Sequence, residues 1–205
     1  MACPRCGSHE RHRLLWLYLT DARPDLLERS PLRLLHFAPE ESFQRLFRER
    51  ANVDYVGADL DSPLASDQVD IQDLPYPDAS FDALMCSHVL EHVPDDRRAM
   101  RELRRILRPG GWAIVMVPLH GGMAETLEDP GVDTPEERLR VYGQADHLRL
   151  YGLDFPDRLR AAGLDVDVVA YGEQVGTDAY RRYGLTGERI YLCSPAATPA
   201  PAGAP

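Results

Sequence analysis

The stretch from Val69 to Pro118 constrains the fold more than any other part of this chain. It reads VDIQDLPYPDASFDALMCSHVLEHVPDDRRAMRELRRILRPGGWAIVMVP. A strand-like apolar run, Ala83-Leu84-Met85-Cys86, follows Phe81-Asp82. A polar break at Ser87-His88 leads into an Arg-rich amphipathic helix, a Pro-Gly-Gly turn and a second apolar run, Trp112 to Val117. Strand, helix and strand, with the helix as crossover, make a βαβ unit, and such a unit implies a parallel sheet. Ligands of parallel sheets bind beyond the carboxyl ends of the strands. That rule puts Ser87, His88, Leu119 and His120 at the rim of the expected site.

The remaining segments extend the same rhythm. Residues 32–37, 53–58 and 69–71 read as strands one to three, 83–87 and 112–118 as strands four and five, and 166–171 and 189–193 as the last two. A helix is expected over 13–19. Another is expected over 41–51, with Phe43, Leu46 and Phe47 on one face, and a third over 154–162, stopped by Gly163. Residues 119–151 break the rhythm with Gly121-Gly122, Asp129-Pro130-Gly131 and Thr134-Pro135. An insertion of that length in a compact domain is usually functional, and it is read as a substrate cap. The organisation is then a knuckle and helix over 1–20, a main domain over 21–195 and a Pro/Ala-rich tail over 196–205, expected to be disordered.

Composition narrows the chemistry. A chain of 205 residues suits one domain with a real core. The net charge of -10 disfavours a nucleic-acid substrate, because neutralising phosphates takes clustered positive charge. All 23 basic residues are Arg, and without Lys neither Schiff-base chemistry nor a phosphate-loop lysine is available. The run Arg97, Arg98, Arg101, Arg104, Arg105, Arg108 reads as the solvated side of the crossover helix, with Met100, Leu103 and Leu107 on its buried side. No apolar run approaches the roughly 20 residues of a membrane span, and the first residues lack a secretory leader pattern. A cytoplasmic location without a membrane partner is expected. Cys86 and Cys193 sit in buried-strand patterns and are read as free thiols.

Three words carry a family resemblance: LPYPDASFD at 74–82, LEHV at 90–93 and RILRPGG at 105–111. In this order and spacing they resemble the class I S-adenosylmethionine-dependent methyltransferases, specifically the type 11 group that acts on small molecules. The resemblance implies a Rossmann-like α/β fold: a seven-stranded sheet of order 3-2-1-4-5-7-6 with strand 7 antiparallel and helices on both faces. It also implies S-adenosyl-L-methionine as cofactor and a small-molecule substrate.

Site residues follow from that resemblance together with the strand-end rule. Asp59, which ends the second strand, is expected to bond the ribose hydroxyls, with Leu60 beside it. Asp70 and Ile71 are expected at the adenine, and Ser87 and His88 at the methionine portion. The turn after strand one departs from the family. Ala38, Glu40 and Ser42 of HFAPEES stand where glycines are usual, although glycine permits the positive φ of a tight approach and Pro39 fixes φ and removes a donor. The turn is read as a variant that still binds the cofactor through Phe37, Ala38, Pro39 and Glu40, with Glu40 on the methionine amino group. The HFAPE word, together with the start CPRCGSHERHR, is similar to one branch of methyltransferase-like proteins.

Methyl transfer needs a base only if the nucleophile arrives protonated. His120 and His147 are the candidates, and Tyr142, Asp146, Arg149 and Tyr151 are expected to contact substrate, Arg149 as a clamp for a carboxylate or phosphate. His88 and His92, one turn apart, have a spacing that metals use, but LEHV words are ordinary in the family and the pair is read as structural. Cys3, Cys6, His9 and His12 offer four donors for a structural zinc, at a tighter spacing than usual. Two rival readings are a catalytically silent cofactor-binding or scaffold protein, and a nicotinamide-dependent oxidoreductase. The absence of G-x-G-x-x-G argues against the second.

Overall fold

The computed structural model describes residues 2–197. Seven strands form one sheet: β1 Leu32–Phe37, β2 Val53–Asp59, β3 Asp67–Gln68, β4 Phe81–Ser87, β5 Leu107–Met116, β6 Leu164–Val169 and β7 Ile190–Pro195. Their order is β3-β2-β1-β4-β5-β7-β6. β7 runs antiparallel to both β5 and β6, and the other pairings are parallel. The helices are α1 Glu10–Leu17, α2 Glu41–Arg48, α3 Asp96–Ile106, α4 Pro135–Tyr142, α5 Phe155–Ala161, α6 Tyr171–Gln174 and α7 Thr177–Tyr183.

β4 shows why its sequence is apolar without alternation. Every residue from Phe81 to Ser87 is buried, as expected of a central strand covered on both faces. Its side chains alternate between two cores. Leu84 and Cys86 join Met100, Leu103, Phe155 and Leu159 beneath α3 and α5. Ala83 and Met85 join Leu14, Leu15, Phe43 and Phe47 beneath α1 and α2.

The first and third motif words meet physically. Arg105 of the third word donates to the Leu74 carbonyl at 3.0 Å, the Tyr76 carbonyl at 2.7 Å and the Asp78 carboxylate at 2.8 Å, all in the first word. Arg108 grips both carboxylate oxygens of buried Asp82 at 2.9 Å. The expectation of a wholly solvated arginine face therefore holds for exposed Arg97, Arg98 and Arg101 only. Arg104 spans to the Gly163 carbonyl. The Pro-Gly-Gly turn is a bulge within β5: Phe81 pairs with Leu107, while Ala83 pairs with Trp112. Gly111 is required there, because a Cβ would stand 2.8 Å from the Asp82 carbonyl oxygen.

Several boundaries differ from the sequence reading. The first helix begins at Glu10 rather than 13. Leu107 opens β5 instead of closing the crossover helix. The third strand is Asp67–Gln68, with Asp70 and Ile71 in the turn that follows. A sheet-edge strand needs only backbone pairing, so polar Asp67 and Gln68 serve where apolar Val69 and Ile71 were expected. α6 and α7 fall between the last two expected strands, where the sequence suggests no helix; both are short and polar. Of the tail expected to be disordered, residues 198–205 lie outside the described residues.

Candidate active site

A cavity of about 730 Å³ opens at the carboxyl ends of β1, β2 and β4. Phe37, Ala38, Asp59, Leu60, Asp70, Ile71, His88 and Asp146 line it, together with Gln72 and His92. The first eight of these are residues named from sequence, and they converge on one space of the size small ligands occupy.

Local chemistry places each wall. Ala38 has φ +47°, the left-handed conformation that glycine usually supplies, and its N–H donates to the Ala58 carbonyl at 2.9 Å. The turn after β1 is therefore as tight as a glycine turn, without the glycine. Asp59 Oδ1 accepts from the N–H groups of Asp61 at 2.9 Å and Ser62 at 2.7 Å, which closes a turn on itself. Its Oδ2 has no partner among the described residues. Asp70 Oδ1 accepts from the N–H of Gln72 at 2.8 Å. The Ser87 hydroxyl is buried and unpartnered among the described residues. His88 takes φ +56° at the end of β4, and its Nε2 lies 3.2 Å from Glu188 Oε2. Glu188 stands 100 residues away in the chain, and no local signal points to it.

Glu40 corrects a sequence expectation. It does not line the cavity. Its carboxylate turns beneath the loop, with Oε2 at 2.9 Å from His36 Nε2 and Oε1 at 3.0 Å from His12 Nε2. His36 Nδ1 meets the Tyr55 hydroxyl at 3.0 Å. Burial acts to raise the Glu40 pKa, but the hydrogen bonds and charge of His12 and His36 outweigh it and hold the carboxyl well below the usual carboxylate range. The carboxylate is occupied inside the protein rather than offered to a methionine amino group. Pro39 also faces inward, toward Gly57, where a Cβ would meet its Cγ at 3.3 Å.

The same contacts answer the zinc expectation. His12 is engaged by Glu40 and by Ser42, whose hydroxyl is 3.2 Å from Nδ1. Among the described residues, Cys3, Cys6, His9 and His12 do not gather as a metal-binding group. The knuckle is instead closed by backbone bonds between Cys3, Gly7 and Ser8.

The substrate expectations divide. Asp146 lines the cavity. Arg149 is buried and donates to the carbonyls of Leu90 at 2.7 Å and Pro94 at 2.9 Å, so its guanidinium is engaged internally rather than clamping an anion. The Tyr151 hydroxyl donates to Asp96 Oδ2 at 2.8 Å. The Tyr142 hydroxyl accepts from the Asp129 N–H at 2.9 Å. These three brace the 119–151 segment. His120 is exposed and outside the cavity lining, whereas His147 is buried behind His92, with ring centroids 4.8 Å apart.

Fold order, the antiparallel β7 and a cavity over the strand ends define a class I methyltransferase fold. Residues 33–115 match the family described as Methyltransferase domain. A 27-O-demethylrifamycin SV methyltransferase of Amycolatopsis mediterranei is 34% identical over 140 residues, covering 66% of this chain and 49% of the relative. The chain spans half or less of the length of the curated relatives it matches. Among solved structures, an S-adenosylmethionine dependent methyltransferase from Mesorhizobium loti superposes with TM-score 0.56 at 18% identity, over 83% of this chain and 96% of that one. The cyclase SpnF reaches TM-score 0.60 at 20% identity, over 92% and 82%. A cyclase on the same fold is a reminder that architecture alone does not assign chemistry. No helix among the described residues is long and apolar enough to cross a membrane.

Proposed function

We propose that this chain transfers a methyl group from S-adenosyl-L-methionine to a small molecule. The observation that carries the reading is the cavity at the strand ends, walled by Ala38, Asp59, Asp70, Ile71 and His88. The residues suit the cofactor. The free Oδ2 of Asp59 would accept from the ribose hydroxyls, and buried Ile71 with exposed Leu60 would cover the adenine faces. Asp70 would accept from the exocyclic amine. The unpartnered Ser87 hydroxyl and His88 would lie beside the methionine portion.

The cofactor supplies a methyl group already activated on a sulfonium, so the protein's work is to align the acceptor and exclude water. We assign the acceptor end to His88, His92 and Asp146, with His147 behind them. His88, held by Glu188, is the cavity group best placed to hold a proton from the acceptor. The four cysteines are free, which supports a reducing, cytoplasmic setting.

The test is calorimetric titration with S-adenosylmethionine and S-adenosylhomocysteine. Micromolar binding is expected, with methyl transfer then sought across small hydroxyl, amine and carbon acceptors. Absence of binding by a folded sample returns the chain to the silent scaffold reading.

A further inference from the structure

Beside the cofactor cavity the structure buries polar groups that the alignment of donor and acceptor does not require. Glu91 is 1% exposed, and neither carboxylate oxygen has a hydrogen-bond partner among the described residues. Its neighbour His88 Nδ1 stands 3.5 Å away, beyond good hydrogen-bond distance. His147 is 4% exposed, and its Nδ1 is also unpartnered. One donor atom from each of Glu91, His92 and His147 lies within 4.8 Å of the others. Buried charges are normally paired or bound to a metal.

The frame around these donors is stiff. The Leu148 N–H donates to the Glu91 carbonyl at 2.8 Å. Arg149 ties the same segment to the carbonyls of Leu90 and Pro94. His92 Nδ1 stands 3.3 Å from both the main-chain oxygen and the carboxylate of Asp146. A histidine held in this way through one nitrogen presents the other, the arrangement usual around metal-ligating imidazoles.

We propose that Glu91, His92 and His147 bind a divalent cation of the zinc class. One carboxylate and two imidazoles form a donor set that zinc uses in sites with an open fourth position. His92 also lines the cofactor cavity, so the set stands at its wall. Donors around a tetrahedral ion stand about 3.3–3.6 Å apart, and binding draws the three side chains together by about 1 Å. This set is distinct from the knuckle at Cys3 and Cys6 and shares His92 and His147 with the proposed acceptor end.

The test begins with chelator-stripped protein titrated with Zn²⁺, alongside Glu91→Gln, His147→Gln and the double variant Cys3→Ser/Cys6→Ser. One equivalent is expected in the native protein and in the cysteine variant, with binding at least about 100-fold weaker in the other two. X-ray absorption on zinc-loaded native protein, which needs no variant to fold, should show nitrogen and oxygen ligands only. Sulfur in the zinc shell, no zinc uptake by folded native protein, or undiminished uptake by both Glu91→Gln and His147→Gln overturns the site. Zinc is read without any methyl donor. Binding of S-adenosylhomocysteine without zinc removes only the metal site, and zinc uptake without S-adenosylhomocysteine removes only the methyl-donor reading.

Discussion

His36 and Glu40 face each other across the turn after β1, with 2.9 Å between Nε2 and Oε2. His36 is fully buried in the core beneath α2, and Glu40 immediately precedes that helix. Through Glu40 the contact reaches His12 of α1, so the N-terminal segment, the turn and β2 share one polar network ending at Tyr55. The backbone at Ala38, which walls the cavity, is held from below by this network.

Glu40→Gln is therefore expected to lower stability by about 3–5 kcal/mol, as removal of one partner from a buried ion pair does, and to weaken cofactor binding with it. The pH dependence has a defined sign. A carboxyl held below its ordinary value of 4.5 stabilises the folded state fully above that pH and loses the contribution as pH falls beneath it. Thermal melts from pH 7 down to pH 3 should show a steeper acid loss in the native protein than in the variant. Parallel profiles would contradict the network's role.

Ala38 gives an opposite expectation. Its left-handed backbone costs a Cβ-bearing residue about 1–2 kcal/mol, partly offset because glycine loses more freedom on folding, by about 0.5–1 kcal/mol. Ala38→Gly should raise stability by up to about 1 kcal/mol while keeping cofactor affinity. Ala38→Val should lower both. Denaturant midpoints with titrations of S-adenosylhomocysteine check the pair, and a destabilised glycine variant would show that φ at this position is not strained.

Asp59 separates two duties of one carboxylate. Asp59→Asn retains an oxygen for the N–H groups of Asp61 and Ser62 but loses the charge proposed to hold the ribose. A charged hydrogen bond contributes about 1.5–3 kcal/mol, so S-adenosylhomocysteine affinity should fall by roughly 10- to 100-fold at unchanged melting temperature. Asp59→Ala should lose affinity and some stability together. Calorimetry and melting on the same samples distinguish the outcomes.

Arg149→Lys tests the brace of the 119–151 segment. A lysine ammonium cannot reproduce the planar fork that spans the carbonyls of Leu90 and Pro94. Leaving such groups unpaired costs about 1–3 kcal/mol each. The expected outcome is a loss of several kcal/mol in urea unfolding and faster hydrogen exchange at Leu148. A variant of native stability would restore Arg149 to the set of substrate contacts.

Cys6 should react first among the thiols. Its side chain is exposed, and hydrogen bonds to the Ser8 side chain and backbone lower its pKa to about 7. Burial pushes Cys193 up to about 12 and Cys86 further in the same direction. Alkylation at pH 7.5 followed by peptide mapping should label Cys6 well before either buried thiol.

Much of the fold was legible because one-dimensional pattern carries it. The unbroken apolar run of β4 marks a strand covered on both faces. The helical period of Ala99, Met100, Leu103 and Ile106, all buried in α3, marks the crossover between two parallel strands. Asp59 and His88 were pointed to by the strand-end rule and Asp70 by the family resemblance, and all three line the cavity. What pattern could not carry was direction. Glu40, Arg149 and Tyr151 are polar residues beside the site in sequence, and all three turn inward to buried partners.

The sequence by itself determined the alternation of strands and helices, the parallel sheet and the set of strand ends that wall the cavity, because hydrophobic period and turn chemistry are local properties. Only the tertiary structure decided which polar side chains face the cavity and which serve the interior. It brought Glu188 to His88 across 100 residues, and His147 to His92 and Glu91. The first depends on where the segment before β7 crosses the sheet and the second on how the 119–151 segment docks, and both are set by contacts between residues far apart in the chain, which no local period encodes.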